Sequence, residues 1–352
     1  NELPRIRVIY FLMSNLLTTQ LYNFHVDQKS KLIEFAGWDM PFSYDGTLKE
    51  HNYVRNNCGF FDVSHMGRLV LDIDQIQNVS KLICSDILNL DNSKALYTIF
   101  TNENGKALDD VIFWKFEDKL ILICNASNRE KISKHLINNN IEFEDETFNT
   151  CLIAIQGPNT ENLLKEYLDL PEHFSAVDNG EYICARTGYT GEDGFEIMFN
   201  NSKVDEILNY IVSNEIKPCG LGSRDTLRLE ASLPLYGFEL TEEISPVEAN
   251  LKWVITNEDD YLGKDILDNE LNSKNHKALK KFIINSKHIA RTGTKVKNNN
   301  INGVVTSGNY SPLLEKSIGF ALFDSSPESD LLEFDIRGNF IEGNIINKRF
   351  LS

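Results

Sequence analysis

Two adjacent carboxylates, Asp109 and Asp110, lie near the start of an alternating run from Leu108 to Phe116 that reads as a β-strand. Neighbours on such a strand point to opposite faces. Asp110 then shares its face with Leu108, Ile112, Trp114 and Phe116, while Asp109 shares the other with Ala107, Val111, Phe113 and Lys115, where a cation is available. A carboxylate among apolar side chains is costly to ionise and its pKa rises, which suits an acid that holds a ligand or a proton. If one of the pair is functional, it should be Asp110. The competing reading makes both aspartates caps of a turn after Gly105, and the pattern leaves both open.

Two further clusters carry chemistry. Gly188-Tyr-Thr-Gly-Glu-Asp-Gly194 allows tight turns and close backbone approach to a ligand. In the strand that follows, Phe195, Ile197 and Phe199 share one face and Glu196 takes the other. Glu196 is either solvent-facing or a carboxylate accepting two hydrogen bonds from a planar, guanidine-like ligand edge. In Gly220–Glu230, Ser223 is a candidate helix N-cap, with Arg224 and Arg228 one turn apart on one helix face. They are either solvated or placed to bind a carboxylate or a heteroaromatic carbonyl.

The elements that must position these groups are mixed. Arg68–Ile73 and Val111–Asn125 read as strands, the latter a hairpin turning at 117–119, and Asn159–Leu168 and Ser202–Asn214 as amphipathic helices with Asn159 and Ser202 as caps. Asn138–Asn140 and Asn298–Asn300 read as loop tips. Near Asn269–His276 the charge balance inverts. Short strand-like runs follow at Ala278–Asn285, Gly303–Ser307, Ser317–Phe323 and Leu331–Ile336, a pattern that predicts a small all-β domain closing the chain. The preceding part reads as α+β.

The 352 residues, 41% apolar and 25% charged, suit a globular protein of two or three domains. No run approaches the ~18–20 apolar residues of a membrane span, and a net charge of −17 opposes nucleic-acid binding overall. One stretch runs against that average. From Leu271 to Leu314 there is no acid, yet Lys274, Lys277, Lys280, Lys281, Lys287, Arg291, Lys295 and Lys297 fall within it. It is either a solvated basic face or a dock for an acidic partner. Cysteines at 58, 84, 124, 151, 184 and 219 lack the spacing of a disulfide framework or zinc ribbon, so free buried thiols in a reducing compartment are expected, and no metal. Gly220–Asp225 lacks the third glycine of a dinucleotide fingerprint, and Gly188–Gly191 lacks the lysine of a P-loop. Residues 1–20 read as an N-terminal extension, with a natural start at Met13 and no secretory signal.

Taken together, the sequence resembles the aminomethyltransferase, or T-protein, family of the glycine cleavage system, from about Leu21 to the C-terminus. The resemblance rests on Leu21-Tyr-Asn-Phe-His25, Phe35-Ala-Gly-Trp38 with Met40-Pro41, Phe61-Asp-Val-Ser-His-Met66 and Phe100-Thr-Asn-Glu103 leading to Asp109-Asp110. It continues through Gln156-Gly-Pro158, Gly188–Ile197, Arg224–Ala231, Leu235-Tyr-Gly237, Ser245-Pro246 and Thr306-Ser-Gly308. Each is weak alone; their order along the chain is specific.

The resemblance implies a three-domain cloverleaf folate-binding fold, α+β with a C-terminal β-barrel: residues 21–272 as two interleaved α+β domains and 273–352 as the barrel. It implies transfer of an aminomethyl group from the lipoyl arm of H-protein to the co-substrate tetrahydrofolate, giving 5,10-methylenetetrahydrofolate, ammonia and dihydrolipoyl H-protein. By position, Asp110 matches the family's essential aspartate near folate N10, Glu196 the glutamate that grips the pterin, and Arg224 a folate-contacting arginine. Tyr97 and Met66 match channel-lining positions. Lys106 and Ser232 replace glycines usual in the family, and Lys348-Arg-Phe350 lacks its usual proline.

Two alternatives share the fold. A folate-dependent demethylase would depart from the Asp-Val-Ser-His-Met run, intact here, and a non-catalytic folate scaffold would carry a Lys-Gly-Cys-x-x-Gly motif that this chain lacks. The basic segment Lys274–Lys297 is the expected dock for an acidic H-protein, with Lys280 and Lys281 the positions to test. Neither nucleic acid nor membrane is an expected partner. A bacterial cytoplasm is the expected location, or the mitochondrial matrix if the source is eukaryotic.

Overall fold

The computed structural model describes residues 16–351 except Lys274 and Lys287; the predicted extension before residue 16 lies outside them, as do those two members of the basic segment. Two sheets form the larger part. A five-stranded sheet runs in the order Lys94–Thr101, Ala107–Lys115, Lys119–Cys124, Gly67–Asp72, Glu144–Asp145. A six-stranded sheet runs Ala176–Asp178, Tyr182–Ala185, Gly194–Asn200, Thr150–Gln156, Gly59–Asp62, Lys217–Pro218. The chain leaves the second sheet at Asp62, builds the first and returns at Thr150, so the two are interleaved.

Alternation along the strands decides what each layer contains. Phe61, Leu152, Ala154, Ala185 and Met198 from one sheet and Trp114, Ile121 and Ile123 from the other share a single apolar cluster, the layer between the sheets. The opposite faces pack separately: Ile153, Ile155, Phe195, Ile197 and Phe199 against Ile207 and Ile211 of helix Val204–Ser213, and Val111, Phe113 and Leu122 against Ile132 and Leu136 of helix Arg129–Asn138.

Beyond helix Lys264–Asn272, a closed six-stranded barrel runs from Ala278–Ile284 to Asn339–Ile346. Its interior holds Phe282, Ile284, Val305, Phe323 and Phe334. The sequence missed two of its strands, Lys295–Asn298 and Asn339–Ile346, because short polar stretches show little periodicity. Asn298, expected at a loop tip, is instead buried; its amide donates to the Ser329 and Leu331 carbonyls and its oxygen accepts from Glu328 N. The helix expected over 159–168 is a single short one, Thr160–Leu164, and the one expected from Ser202 begins at Val204 after a 3-10 turn.

All six cysteines are buried and unpaired, and no helix among the described residues is long and apolar enough to cross a membrane.

Candidate functional site

The layer between the sheets is where the two predicted carboxylates converge. Asp110 points with Ile112 and Trp114 to that layer, and Glu196 points with Met198 to the same layer from the other sheet. Asp109 goes the opposite way, into the helix-covered layer.

Asp109 is fully buried and every bond it accepts is local: Asn125 N at 3.1 Å, Asn125 Nδ2 at 2.8 Å and Asn128 Nδ2 at 2.5 Å. The cation expected beside it is elsewhere, since Lys115 Nζ donates to the Leu90 carbonyl. Neutral amides therefore hold Asp109, and it locks the loop after strand Lys119–Cys124. Capping of the Gly105 turn falls to Asn102, whose Oδ1 accepts from Asn104 N and Lys106 N. Lys106, at one of the replaced glycines, sends Nζ to Glu248 and Glu270 at 2.9 and 2.8 Å and ties that turn to helix Lys264–Asn272.

Asp110 is partly buried and accepts from Asn125 Nδ2 at 2.9 Å and from the Tyr97 hydroxyl at 3.0 Å. Burial pushes both carboxyls above the ordinary carboxylate range, and the charge of Asp110 raises Asp109 further. Burial and the Asp110 charge likewise push the Tyr97 phenol well above its usual value, so it stays a donor. The Tyr97 ring stacks at 5.7 Å on Trp253, which is 64% exposed.

Glu196 is buried, contrary to its solvent-facing alternative. Phe195, Ile197 and Phe199 anchor the opposite face, and the cross-strand neighbours of Glu196 are Ala154 and Ala185, whose short side chains leave room above it. Thr187 Oγ1 donates to Oε2 at 2.5 Å, and Oε1 has no partner among the described residues. The glycine loop is built on Gln156, which accepts from Thr190 Oγ1 at 3.0 Å and donates to the Thr187 carbonyl at 3.1 Å. A Cβ on Gly188 would lie 1.9 Å from Gln156 Oε1, so a side chain there would displace the Gln156 amide from these bonds.

The two arginines part company. Helix Leu221–Glu230 starts from Gly220, whose N–H donates to Glu50 Oε2; Ser223, expected as the cap, lies inside the helix with its hydroxyl on the Gly220 carbonyl. A Cβ on Gly220 would meet the Phe42 backbone at 2.3 Å, so this glycine lets the helix seat on hairpin strand Trp38–Ser43. Arg228 is buried and fully engaged with Asp225, the Leu233 carbonyl, Glu239 and Ser307, fastening the helix to the barrel. Arg224 has no such partners. Its Cζ sits 4.9 Å from the Tyr189 ring centroid and its Nη1 is buried with no hydrogen-bond partner among the described residues. Burial pulls its pKa down, while the Glu196 charge works the other way.

Tyr189 bridges the groups. Its hydroxyl donates to the Pro234 carbonyl, and its neighbourhood includes the charges of Arg228, Asp110 and Arg224. Met66 is half-buried against the inter-sheet layer. Thus Asp110, Tyr97, Glu196, Arg224 and Met66 border one region. Sequence reasoning gave no role to Asn125, Tyr189, His65 or Trp253. The available signals were an Asn ending an apolar strand and a Tyr flanked by glycines.

Comparison with known proteins gives the family of the chain. The family description "GCVT N-terminal domain" matches residues 21–259, and "Glycine cleavage T-protein C-terminal barrel domain" matches 277–351. The chain is 38% identical to an aminomethyltransferase of Thermosipho melanesiensis, covering 94% of this chain and 96% of the relative. It is 36% identical to one of Staphylococcus saprophyticus, covering 97% and 100%. The crystal structure of the glycine cleavage system aminomethyltransferase T from Bartonella henselae superposes with a TM-score of 0.88 at 27% identity, over 96% of this chain and 98% of that one.

Proposed function

The chain belongs to the glycine cleavage T-protein family and acts as an aminomethyltransferase, and on that premise we propose how its residues divide the work. The reaction takes the aminomethyl carbon from the lipoyl arm of H-protein to tetrahydrofolate, with 5,10-methylenetetrahydrofolate, ammonia and dihydrolipoyl H-protein as products. Tetrahydrofolate, as co-substrate, supplies the nitrogen nucleophiles.

The observation that carries this reading is a buried Arg224 nitrogen and an oxygen of the buried Glu196 side chain that no described residue binds. Arg224 Nη1 lacks a partner, and Glu196 Oε1 lacks one in the same layer. A planar amino-pyrimidinone fits both needs: its carbonyl accepts from the guanidinium and its adjacent N–H groups donate to the carboxylate. Tyr97 and Met66 wall the region around them.

Asp110 is the catalytic residue of this proposal. Tyr97 at Oδ2 and Asn125 at Oδ1 fix the direction of the carboxyl, and burial keeps it more basic than an exposed aspartate. So placed, it holds or releases a proton at its oxygens close to working pH. Ionised, it offers a fixed negative charge to the positive charge that grows as the carbon–sulfur bond breaks.

H-protein is the macromolecular partner, and its dock is proposed on the basic segment. The fold redistributes that segment. Lys280 and Lys281, adjacent on strand Ala278–Ile284, point to opposite faces. Lys295 and Lys297 sit across from Asp335 and Glu333. Lys281 lies in the field of Arg349, which with burial lowers its pKa. The proposed dock therefore centres on Lys281 and Arg349. Residues 21–272 are read as the folate-binding region and 273–352 as the closing barrel domain. The reading also places the protein in a reducing compartment, bacterial cytoplasm or mitochondrial matrix, supported by its free buried cysteines and bacterial relatives.

The test is aminomethyl transfer from loaded H-protein to tetrahydrofolate, wild type beside Asp110→Asn. Turnover that collapses in the variant while tetrahydrofolate still binds is the expected result. Full turnover in Asp110→Asn would remove Asp110 from the chemistry.

A further inference from the structure

His65 sits in the loop after strand Gly59–Asp62, and nothing above gives it a task. Its side chain is 5% exposed, and Nδ1 is buried with no hydrogen-bond partner among the described residues. Leaving a buried polar atom unpaired is costly, and folded proteins keep few such atoms.

Local rearrangement cannot easily relieve that cost, because the loop is fastened on both sides. Asp62 Oδ1 accepts from Ser64 N at 2.9 Å, Ser64 Oγ donates to the Leu152 carbonyl at 3.1 Å, and Arg68 Nη1 donates to the Ser64 and Met66 carbonyls at 2.9 and 2.6 Å. The Phe35 ring closes one side of the imidazole edge-on at 5.6 Å. The second unsatisfied group, Arg224 Nη1, is close enough for its guanidinium charge to act on the imidazole. Burial is the main reason the ring stays neutral; the Asp62 charge opposes it, and the Arg224 and Arg68 charges add to it.

We propose that His65 Nδ1 is a specificity-determining acceptor that, together with Arg224 Nη1, reads a ligand edge presenting a carbonyl beside an N–H. The carbonyl accepts from Arg224 and the N–H donates to His65, which pairs both buried atoms at once. This rests on the folate-site reading above and deepens it, adding a second acceptor to the one Glu196 provides. The ring is held neutral chiefly by burial, and the proposal assigns it the tautomer with the proton on Nε2, which leaves the Nδ1 lone pair free to accept.

The side-chain series His65→Asn and His65→Gln separates recognition from packing. The Asn oxygen can occupy the Nδ1 position, whereas the Gln amide reaches the Nε2 position. Binding of tetrahydrofolate to the full chain is measured by calorimetry, with thermal unfolding of each variant as the check on folding. The expected result is His65→Asn within about threefold of wild type and His65→Gln weaker by roughly tenfold or more. In turnover the Gln variant should show a raised KM for tetrahydrofolate with kcat little changed. Equal affinities in both variants, whether unchanged or equally weakened, would overturn the proposal. Weakening by Glu196→Gln alongside indifference to both His65 variants would overturn it while leaving the folate-site reading intact. Failure of the wild type to bind tetrahydrofolate would overturn both.

Discussion

The Tyr97 hydroxyl reaches diagonally across its strand pair to donate to Asp110 Oδ2 at 3.0 Å, Asp110 standing opposite Ile99 in the register. This bond favours the charged carboxylate, whereas burial favours the neutral acid. Removing the hydroxyl in Tyr97→Phe takes away about 1 kcal/mol from the ionised form. The Asp110 pKa, already raised, should rise again. Activity that needs the carboxylate then falls off at a higher pH, with the acid limb of kcat moved up by ~0.7 pH units. An acid limb at the wild-type position, measured with saturating H-protein and folate, would mean the bond does not tune Asp110.

Arg224 and Arg228 lie one helical turn apart yet should fail differently. Arg224→Lys removes the Nη1 donor that no described residue uses, so tetrahydrofolate affinity should drop with the melting temperature nearly unchanged. Arg228→Leu leaves buried Glu239 without its ion pair and should cost roughly 3–5 kcal/mol of stability. Urea midpoints and tetrahydrofolate affinities of both variants check this. Equal losses of stability would contradict the division.

Acid should loosen the N-terminal segment. Asp62 is buried and accepts from His25 Nε2 at 2.8 Å, Thr19 Oγ1 at 2.6 Å and Ser64 N. Burial alone would raise its pKa, but these partners outweigh that and bring it down to about 2. A carboxyl with a lowered folded pKa stabilises the protein above its unfolded pKa and loses that contribution as pH falls through the folded value. The share here is about 2 kcal/mol, fading from roughly pH 5 to pH 1. Asp62→Asn should be less stable at neutral pH and show a shallower decline on acidification in thermal unfolding. Parallel curves for the two proteins would contradict the assignment.

Charge reversal at the barrel tests the dock. Lys281→Glu combined with Arg349→Glu should lower kcat/KM for H-protein severalfold at low salt, mostly through slower association, with the defect shrinking as salt screens the field. Affinity for tetrahydrofolate should hold. Turnover indifferent to both substitutions at low ionic strength would remove this surface from the dock.

Alternation and order were legible in the sequence. Asp110 and Asp109 had to face opposite ways once Leu108–Phe116 was read as a strand, and Glu196 had to oppose Phe195 and Ile197. The barrel strands with apolar alternation were visible for the same reason, while Lys295–Asn298 was not. These are local properties with a period of two residues.

What lay across each side chain was a matter of tertiary structure alone. Helical spacing made Arg224 and Arg228 equivalent, but the barrel supplied Ser307 to one, and the segment after the helix supplied Glu239 to the same one. The other was left with a buried nitrogen that no described residue binds. Lys115 shared a strand face with Asp109, yet two asparagines from a neighbouring connection reached the carboxylate first. Glu196 is buried because alanines on both adjacent strands make room and a helix-backed layer holds its neighbours. Side-chain pairing between segments far apart in the chain depends on where the fold brings them, and no local period records that.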